Sequence, residues 1–283
     1  MKYIKLLWFD MRNGMIKKPM LFIIPTMVAF TACVDLTNRI SSLNEFGYFD
    51  FKLTGGFSDY MMYIYGGMDK YVPDLGDPFV FPVRWTVVFL AVSFITLNYP
   101  YTDMQSFGQQ ILVRTKGRSV WWLSKCGWNI LSSLVYHCLF FCVSFLFCIS
   151  VQGSFSSEIN KDLTYAVFQV SRESILSSDV PWPSVMLILP ILISIGINLF
   201  QMVLSLFIKP IFSFFSVALL IISSSYLISP YLIGNYAMPV RYDMVVNDGV
   251  DIKVGLVAAI ALIVISVVTG VIRFHKYDIL NKD

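Results

Sequence analysis

The residues able to do chemistry are few, and their spacing excludes most of it. Five cysteines and two histidines could in principle hold a metal or attack as nucleophiles. Cys33, Cys126, Cys138, Cys142 and Cys148 all fall in or beside apolar runs, without the paired spacing that zinc or a disulfide framework requires. Cys138 and Cys142 share a helix face next to His137, where soft packing accounts for them better than a metal. No Gly-rich loop ends in Lys-Ser or Lys-Thr, so nucleotide phosphates find no cradle, and this chain is expected to carry neither cofactor nor enzymatic activity of its own. Carboxylates are missing from the long apolar runs, which removes the usual coupling-ion apparatus of a secondary carrier. The polar residues inside those runs are Asn129, His137, Asn198 and Gln201, with serines at 213, 216 and 223–225. Such groups bond helix to helix; His137, Asn198 and Gln201 are also the residues available to line a substrate pathway.

One polar segment has substance. Between residues 100 and 125, Met104, Phe107 and Ile111 recur at helical spacing among Gln105, Gln109 and Gln110, and Arg114, Lys116 and Arg118 follow. This pattern predicts a short amphipathic helix lying parallel to a membrane, with Trp121 and Trp122 returning the chain to the interface and Lys125 anchoring the next span. The basic residues fit either simple membrane anchoring or the docking of a cytoplasmic partner.

The elements that must position these residues follow from where charge is missing. Hydrophobic residues make up 57% of the 283 and charged residues 14%, whereas soluble domains carry about 25% charged. The mean hydropathy is +0.69, and a net charge of +3 is too small to suggest nucleic acid as a partner. Residues 19–34, 85–102, 126–157, 180–208, 210–240 and 254–272 contain no Asp, Glu, Lys or Arg. A helix needs roughly 20 apolar residues to cross about 30 Å of hydrocarbon. These stretches therefore predict an all-α membrane protein with six spans, over about 19–35, 82–101, 127–150, 183–208, 211–233 and 254–272. If both termini are cytoplasmic, 13 of the 21 basic residues and 4 of the 18 acids fall on the cytoplasmic side, in keeping with the positive-inside rule.

Residues 1–18 place Tyr3, Ile4, Leu7, Trp8 and Met11 on a helix among Lys2, Lys5, Asp10 and Arg12, which predicts an interfacial helix with its lysines facing anionic lipid. The outer segment 35–84 is long and aromatic. Phe49, Phe51 and Leu53 alternate with Asp50 and Lys52, so a short strand is an option there. The segment either folds blandly against the membrane surface or forms a gate that includes Phe49, Phe51, Tyr60 and Tyr63. In the second outer segment Leu163, Ala166, Val167 and Val170 predict a short helix.

On these residues the chain resembles the permease subunit of a type-2 ATP-binding-cassette exporter. Members of that family have an N-terminal elbow helix, six spans with both ends inside, and a coupling helix between the second and third spans. Gln110 to Arg114, Arg118-Ser119 and Lys125 occupy places comparable to that helix and the start of the third span, while Gln109 and Gln110 stand where members often have Glu. The resemblance implies a multi-pass protein of a bacterial cell membrane that pairs with a second permease chain. It further implies cytoplasmic ATPase subunits, which hold ATP and Mg and dock on Gln105, Gln109, Gln110, Arg114, Lys116 and Arg118. The aromatic, charge-poor wall suits an amphipathic cargo such as an antimicrobial or signalling peptide. A structural or sensory membrane subunit without transport of its own is the rival reading.

Overall fold

A computed structural model describes residues 2–71, 78–115, 117–155, 158–168, 170, 184–247 and 249–277. Among them the regular structure is helical, with no strand beyond two isolated bridges, Gly56 to Ser154 and Tyr242 to Val250. Helix α1 (Lys2–Asp10) runs into a π-helical turn (Met11–Ile16), and α2 (Met20–Glu45) follows. A short α3 (Phe57–Tyr65) precedes α4 (Val83–Leu97), which continues past Asn98 into α5 (Tyr99–Gln105) and then α6 (Phe107–Thr115). The longest helix is α7 (Arg118–Ser150), followed by α8 (Lys161–Phe168), α9 (Ser184–Leu204), α10 (Pro210–Tyr226) and α11 (Ile252–His275). Two 3-10 turns, Ile233–Ala237 and Pro239–Arg241, lie between α10 and α11.

Five of these elements, α2, α4 with α5, α7, α9 and α11, are long and apolar enough to cross a membrane. Their outward faces carry Ile23, Phe30, Leu146, Val257, Ile265 and Ile272, all exposed. Apolar surface of that extent is not left bare to water, whereas lipid accepts it without cost. Helix α9 is the most enclosed, packing against α4, α7, α10 and α11. Residues 3, 10, 103, 118, 125 and 275 meet at one end of the bundle, here called the terminal end; 35–69, 84, 154–164 and 227–251 gather at the other, distal end.

Several boundaries differ from the sequence expectation. The fifth apolar run was expected to be helical to residue 233, but α10 stops at Tyr226 after 17 residues, a rise of about 25 Å. Leu227 is extended and Pro230 cannot continue the helix. The exposed carbonyls are taken up instead: Arg241 donates to Ser224 O and Ser225 O, and Asn235 Nδ2 to Leu227 O and Ser229 O. The alternation at 49–53 does not make a strand. The Asn44 side chain accepts from Leu53 N at 2.7 Å and donates to Leu53 O at 2.9 Å, so an amide side chain supplies the pairing that a neighbouring strand would have given. The short helix expected within residues 100–125 is two helices broken at Ser106. Helix α7 starts at Arg118, so Lys125 lies two turns inside it rather than at its mouth.

Candidate functional site

Lys125 is the centre of a buried ion cluster at the terminal end. Its side chain and that of Asp10 are 1% and 2% exposed, and they form an ion pair. The ammonium also lies 2.7 Å from Asp103 Oδ2, so one cation serves two carboxylates. Asp10 accepts further hydrogen bonds from the Ser124 hydroxyl and, at 2.9 Å, from Tyr99 OH. The rings of Tyr99 and Trp121 stand 4.8 and 4.9 Å from the ammonium and add cation–π attraction. Asp10 comes from α1, Tyr99 and Asp103 from α5, and Ser124 and Lys125 from α7. Three elements distant in sequence are thereby joined through groups that are costly to separate, since breaking a buried pair leaves an uncompensated charge.

Apolar packing continues the junction. Met104 of α5 and Leu112 of α6 are buried in a cluster with Trp121 and Trp122 of α7, Met202 and Leu206 near the end of α9, and Phe274 of α11. The segment from α5 to α6 is thus seated on the bundle, not tethered to it by loops alone.

Of the six residues expected to meet a partner, Gln105 and Gln110 are exposed and Gln109 is half-buried. Lys116 and the Arg114 side chain lie outside the described residues. Arg118 is turned inward to the last helix: its Nη1 donates to His275 O at 2.7 Å and Tyr277 O at 2.9 Å, capping the carbonyl end of α11. Ser119 Oγ and His275 Nε2, 2.6 Å apart, hold the same contact.

The three residues considered for a pathway are packed inside one chain. Asn198 accepts from Ser93 Oγ at 2.6 Å and donates to Ser133 Oγ at 3.0 Å, while Gln201 Nε2 donates to Ser93 O at 2.9 Å. This seam stitches α4, α7 and α9. His137 shares a hydrogen bond of 2.8 Å with Tyr65 OH and is enclosed by the rings of Phe89, Tyr136 and Phe140.

At the distal end α3 is inserted between α2, α4 and α7, with Ser58 to Tyr65 all buried. Its tyrosines moor it. Tyr60 OH and Thr37 Oγ1 are 2.9 Å apart, Tyr63 OH donates to Asp35, and Tyr65 OH reaches His137. Arg84 of α4 stacks 3.6 Å over the Tyr63 ring and donates to Asp35 Oδ2 at 2.8 Å and Tyr63 O at 3.1 Å. Burial raises the phenols of Tyr60 and Tyr63 above their ordinary range, so both stay protonated donors. Tyr60 and Tyr63 therefore sit within the packing, while Phe51 is exposed and Phe49 half-buried, in contact with each other at 5.5 Å between ring centroids.

Asp59 ties α3 to the next loop, accepting from Gly56 N and Asn160 N at 2.8 Å each. Burial outweighs these bonds and pushes its carboxyl up to about 6. Asn160 in turn caps α8 through Leu163 N at 3.2 Å. Arg241 is the third distal fastening. Besides its bonds to the end of α10 it donates to Asn235 and, from Nε at 2.9 Å, to Met68 O, and burial pushes its guanidinium down to about 10, still a cation at neutral pH.

Sequence reasoning passed over Asp10, Asp103, Asp35, Asp59, Tyr65, Tyr99, Arg84 and Arg241. A signal existed for two of them: Asp10 is the lone acid before residue 35, and Asp103 the lone acid between 85 and 157, each beside basic residues. Among the described residues no cluster of His, Cys, Asp and Glu could hold a metal.

Residues 23–280 match the family described as Protein of unknown function (DUF2705), and a match over most of its length places the chain in that family. No curated protein and no solved structure matches it.

Proposed function

We propose that this family member is the membrane-spanning permease subunit of an ATP-driven exporter of the type-2 ATP-binding-cassette class. In this reading α10 is a sixth, short span, both termini are cytoplasmic, α1 is the elbow helix, and the α5–α6 segment is the coupling element. A second permease chain completes the pathway, and separate ATPase subunits hold ATP and Mg against Gln105, Gln109, Gln110 and the basic residues that follow. The cargo is amphipathic, an antimicrobial or signalling peptide being the chemistry that an aromatic, charge-poor wall suits best.

The observation that carries the reading is the ion cluster Asp10, Lys125 and Asp103. A force applied to α5 and α6 from the cytoplasm reaches α1 and the 33-residue α7 through a dry, charged junction rather than a flexible loop. Rigid-body transmission of that kind is what nucleotide-driven closure requires, provided that inward and outward states bind the cargo differently. The packed interior supports a pathway between two chains: His137, Asn198 and Gln201 are already engaged within one.

The test is recovery of the tagged chain from its native membrane in mild detergent, with identification of its partners and an ATPase assay on the complex. A copurifying nucleotide-binding subunit with measurable hydrolysis is expected. A single species without ATPase would overturn the proposal in favour of a structural or sensory subunit.

A further inference from the structure

We propose that a distal cavity between the start of α3 and the entry to α8 binds a primary ammonium group, seated on the carboxylate of Asp59. The cavity has a volume of about 330 Å³, and Thr54, Asp59, Ser154, Glu158, Asn160 and Asp162 are among the residues that line it. Its walls are fixed by short bonds between segments distant in sequence. Phe57 N donates to Ser154 O at 2.9 Å, and a methyl group on Gly56 would stand 2.7 Å from Ser154 Oγ, so the two segments lie in direct contact. The Asp59 carboxylate accepts from Gly56 N and Asn160 N and ties both walls together. The site is therefore built before any ligand arrives.

What it lacks is a cation. Asp59 is 6% exposed, yet both of its partners are neutral backbone N–H groups, which take two of the roughly four lone-pair positions on its oxygens. It enters no ion pair among the described residues. From within the bundle none is on offer: a smaller cavity on that side is lined by Leu36, Met62, Tyr63, Leu163, Thr164 and Val167, and the Tyr63 hydroxyl is spent on Asp35. In the wall of the larger cavity the other charged groups are Glu158, Lys161 and Asp162, so three carboxyl groups share one ammonium. A buried charge without a counter-charge is costly, and the open cavity is the side from which a counter-charge can come.

The acceptors decide the chemistry of that cation. A metal ion needs several ligands close together, and among the described residues no group of three or more His, Cys, Asp and Glu could hold one. A guanidinium takes a carboxylate through two parallel bonds, but each Asp59 oxygen already carries a backbone N–H. An ammonium is a compact point charge with three donors, and the hydroxyl residues Thr54 and Ser154 stand in the same wall as Asp59. The group comes from a free amine or from the lysine side chain of a peptide. The assignment rests on Asp59 and its cavity, whatever the chain transports.

The experiment is calorimetric titration of the purified full chain in nanodiscs with n-butylamine, with the peptide acetyl-Gly-Lys-Gly-amide and with calcium chloride. Saturable binding of an amine at pH 7 is expected. Tighter binding of the peptide assigns the site to lysine side chains, and tighter binding of butylamine assigns it to free amines. Asp59→Asn should weaken binding roughly tenfold or more, the worth of a hydrogen bond to a charged group. Glu158→Gln, at an exposed position that leaves the packing untouched, should weaken it about threefold. Burial pushes the Asp59 carboxyl up to about 6, so the ammonium competes there with a proton. Binding should therefore be about tenfold weaker at pH 5 than at pH 7. Asp59→Asn should abolish this dependence although Glu158, Lys161 and Asp162 still face the ligand. The proposal is overturned if neither amine binds saturably, if calcium alone binds, or if amine binding is the same at both pH values or unchanged by Asp59→Asn.

Discussion

Replacing Lys125 by Met tests the ion cluster most directly. Met has nearly the length of the lysine stem, so the packing against Tyr99 and Trp121 survives while the charge is lost. Two carboxylates, Asp10 and Asp103, then face each other in a site that is almost closed to water. Breaking a buried pair by removing one partner costs about 3–5 kcal/mol. Loss of the two cation–π contacts adds about 1 kcal/mol. Part of the cost is relieved because Ser124 and Tyr99 still donate to Asp10, leaving a net figure on the order of 3–4 kcal/mol, or roughly a 200- to 1,000-fold rise in local opening. Hydrogen exchange in detergent or nanodiscs would read this as lost protection over residues 3–10 and 99–105, with the distal half of α7 unchanged. Adding Asp10→Asn and Asp103→Asn to Lys125→Met removes the stranded charges and should restore most of the protection, because a neutral packed site is often no less stable than the ionic one. A change below about 1 kcal/mol in Lys125→Met would refute the reasoning, since it would mean that the ammonium contributes no more than a solvent-exposed pair.

Two further outcomes follow from the distal fastenings. The Asp59 carboxyl is raised from 3.8 to about 6, so the native state favours its protonated form. Its contribution to stability is therefore best below pH 3.8, declines as pH rises through the window, and is fully lost above pH 6, a swing of about 3 kcal/mol. The stability difference between the unaltered chain and Asp59→Asn, measured by thermal unfolding at pH 4 and pH 7, should change by that order in favour of the variant at pH 7; a difference independent of pH would contradict the assignment. Arg241→Lys offers three donors where five hydrogen bonds are made, and stranding at least two buried acceptors costs about 2–6 kcal/mol. Limited proteolysis should then cut within 227–247 faster than in the parent chain, and unchanged cleavage would show that the guanidinium bonds are not what holds the end of α10.

How much of this was legible in the sequence depends on whether the determining interaction was local. The absence of charge from 85–102, 126–157 and 254–272 fixed spans α4, α7 and α11 because bilayer thickness and the cost of burying charge act on each segment separately. The helical spacing of apolar residues in 1–18 and around 163–167 likewise predicted α1 and α8, since an amphipathic stripe is a property of the segment itself. The strand at 49–53 failed because one side chain, Asn44, satisfied Leu53 from outside the pattern, and α10 ended early because Arg241, fifteen residues beyond its last residue, could cap it.

Partnerships across the bundle were hidden for the same reason. Lys125 reads as a membrane anchor until Asp10 and Asp103 are brought to it, and nothing in the segment around Arg118 announces that its guanidinium caps the end of α11. Tyr60 and Tyr63 read as part of an outer gate or of a segment lying on the membrane surface, and their packing inside α3 among the neighbouring helices shows only in the structure. The sequence by itself determined that the chain lives in lipid, since solvation of apolar and charged groups is written residue by residue. Which charges are buried, and which elements they join, was decided only in the tertiary structure, because a pair energy depends on a distance that no single segment contains.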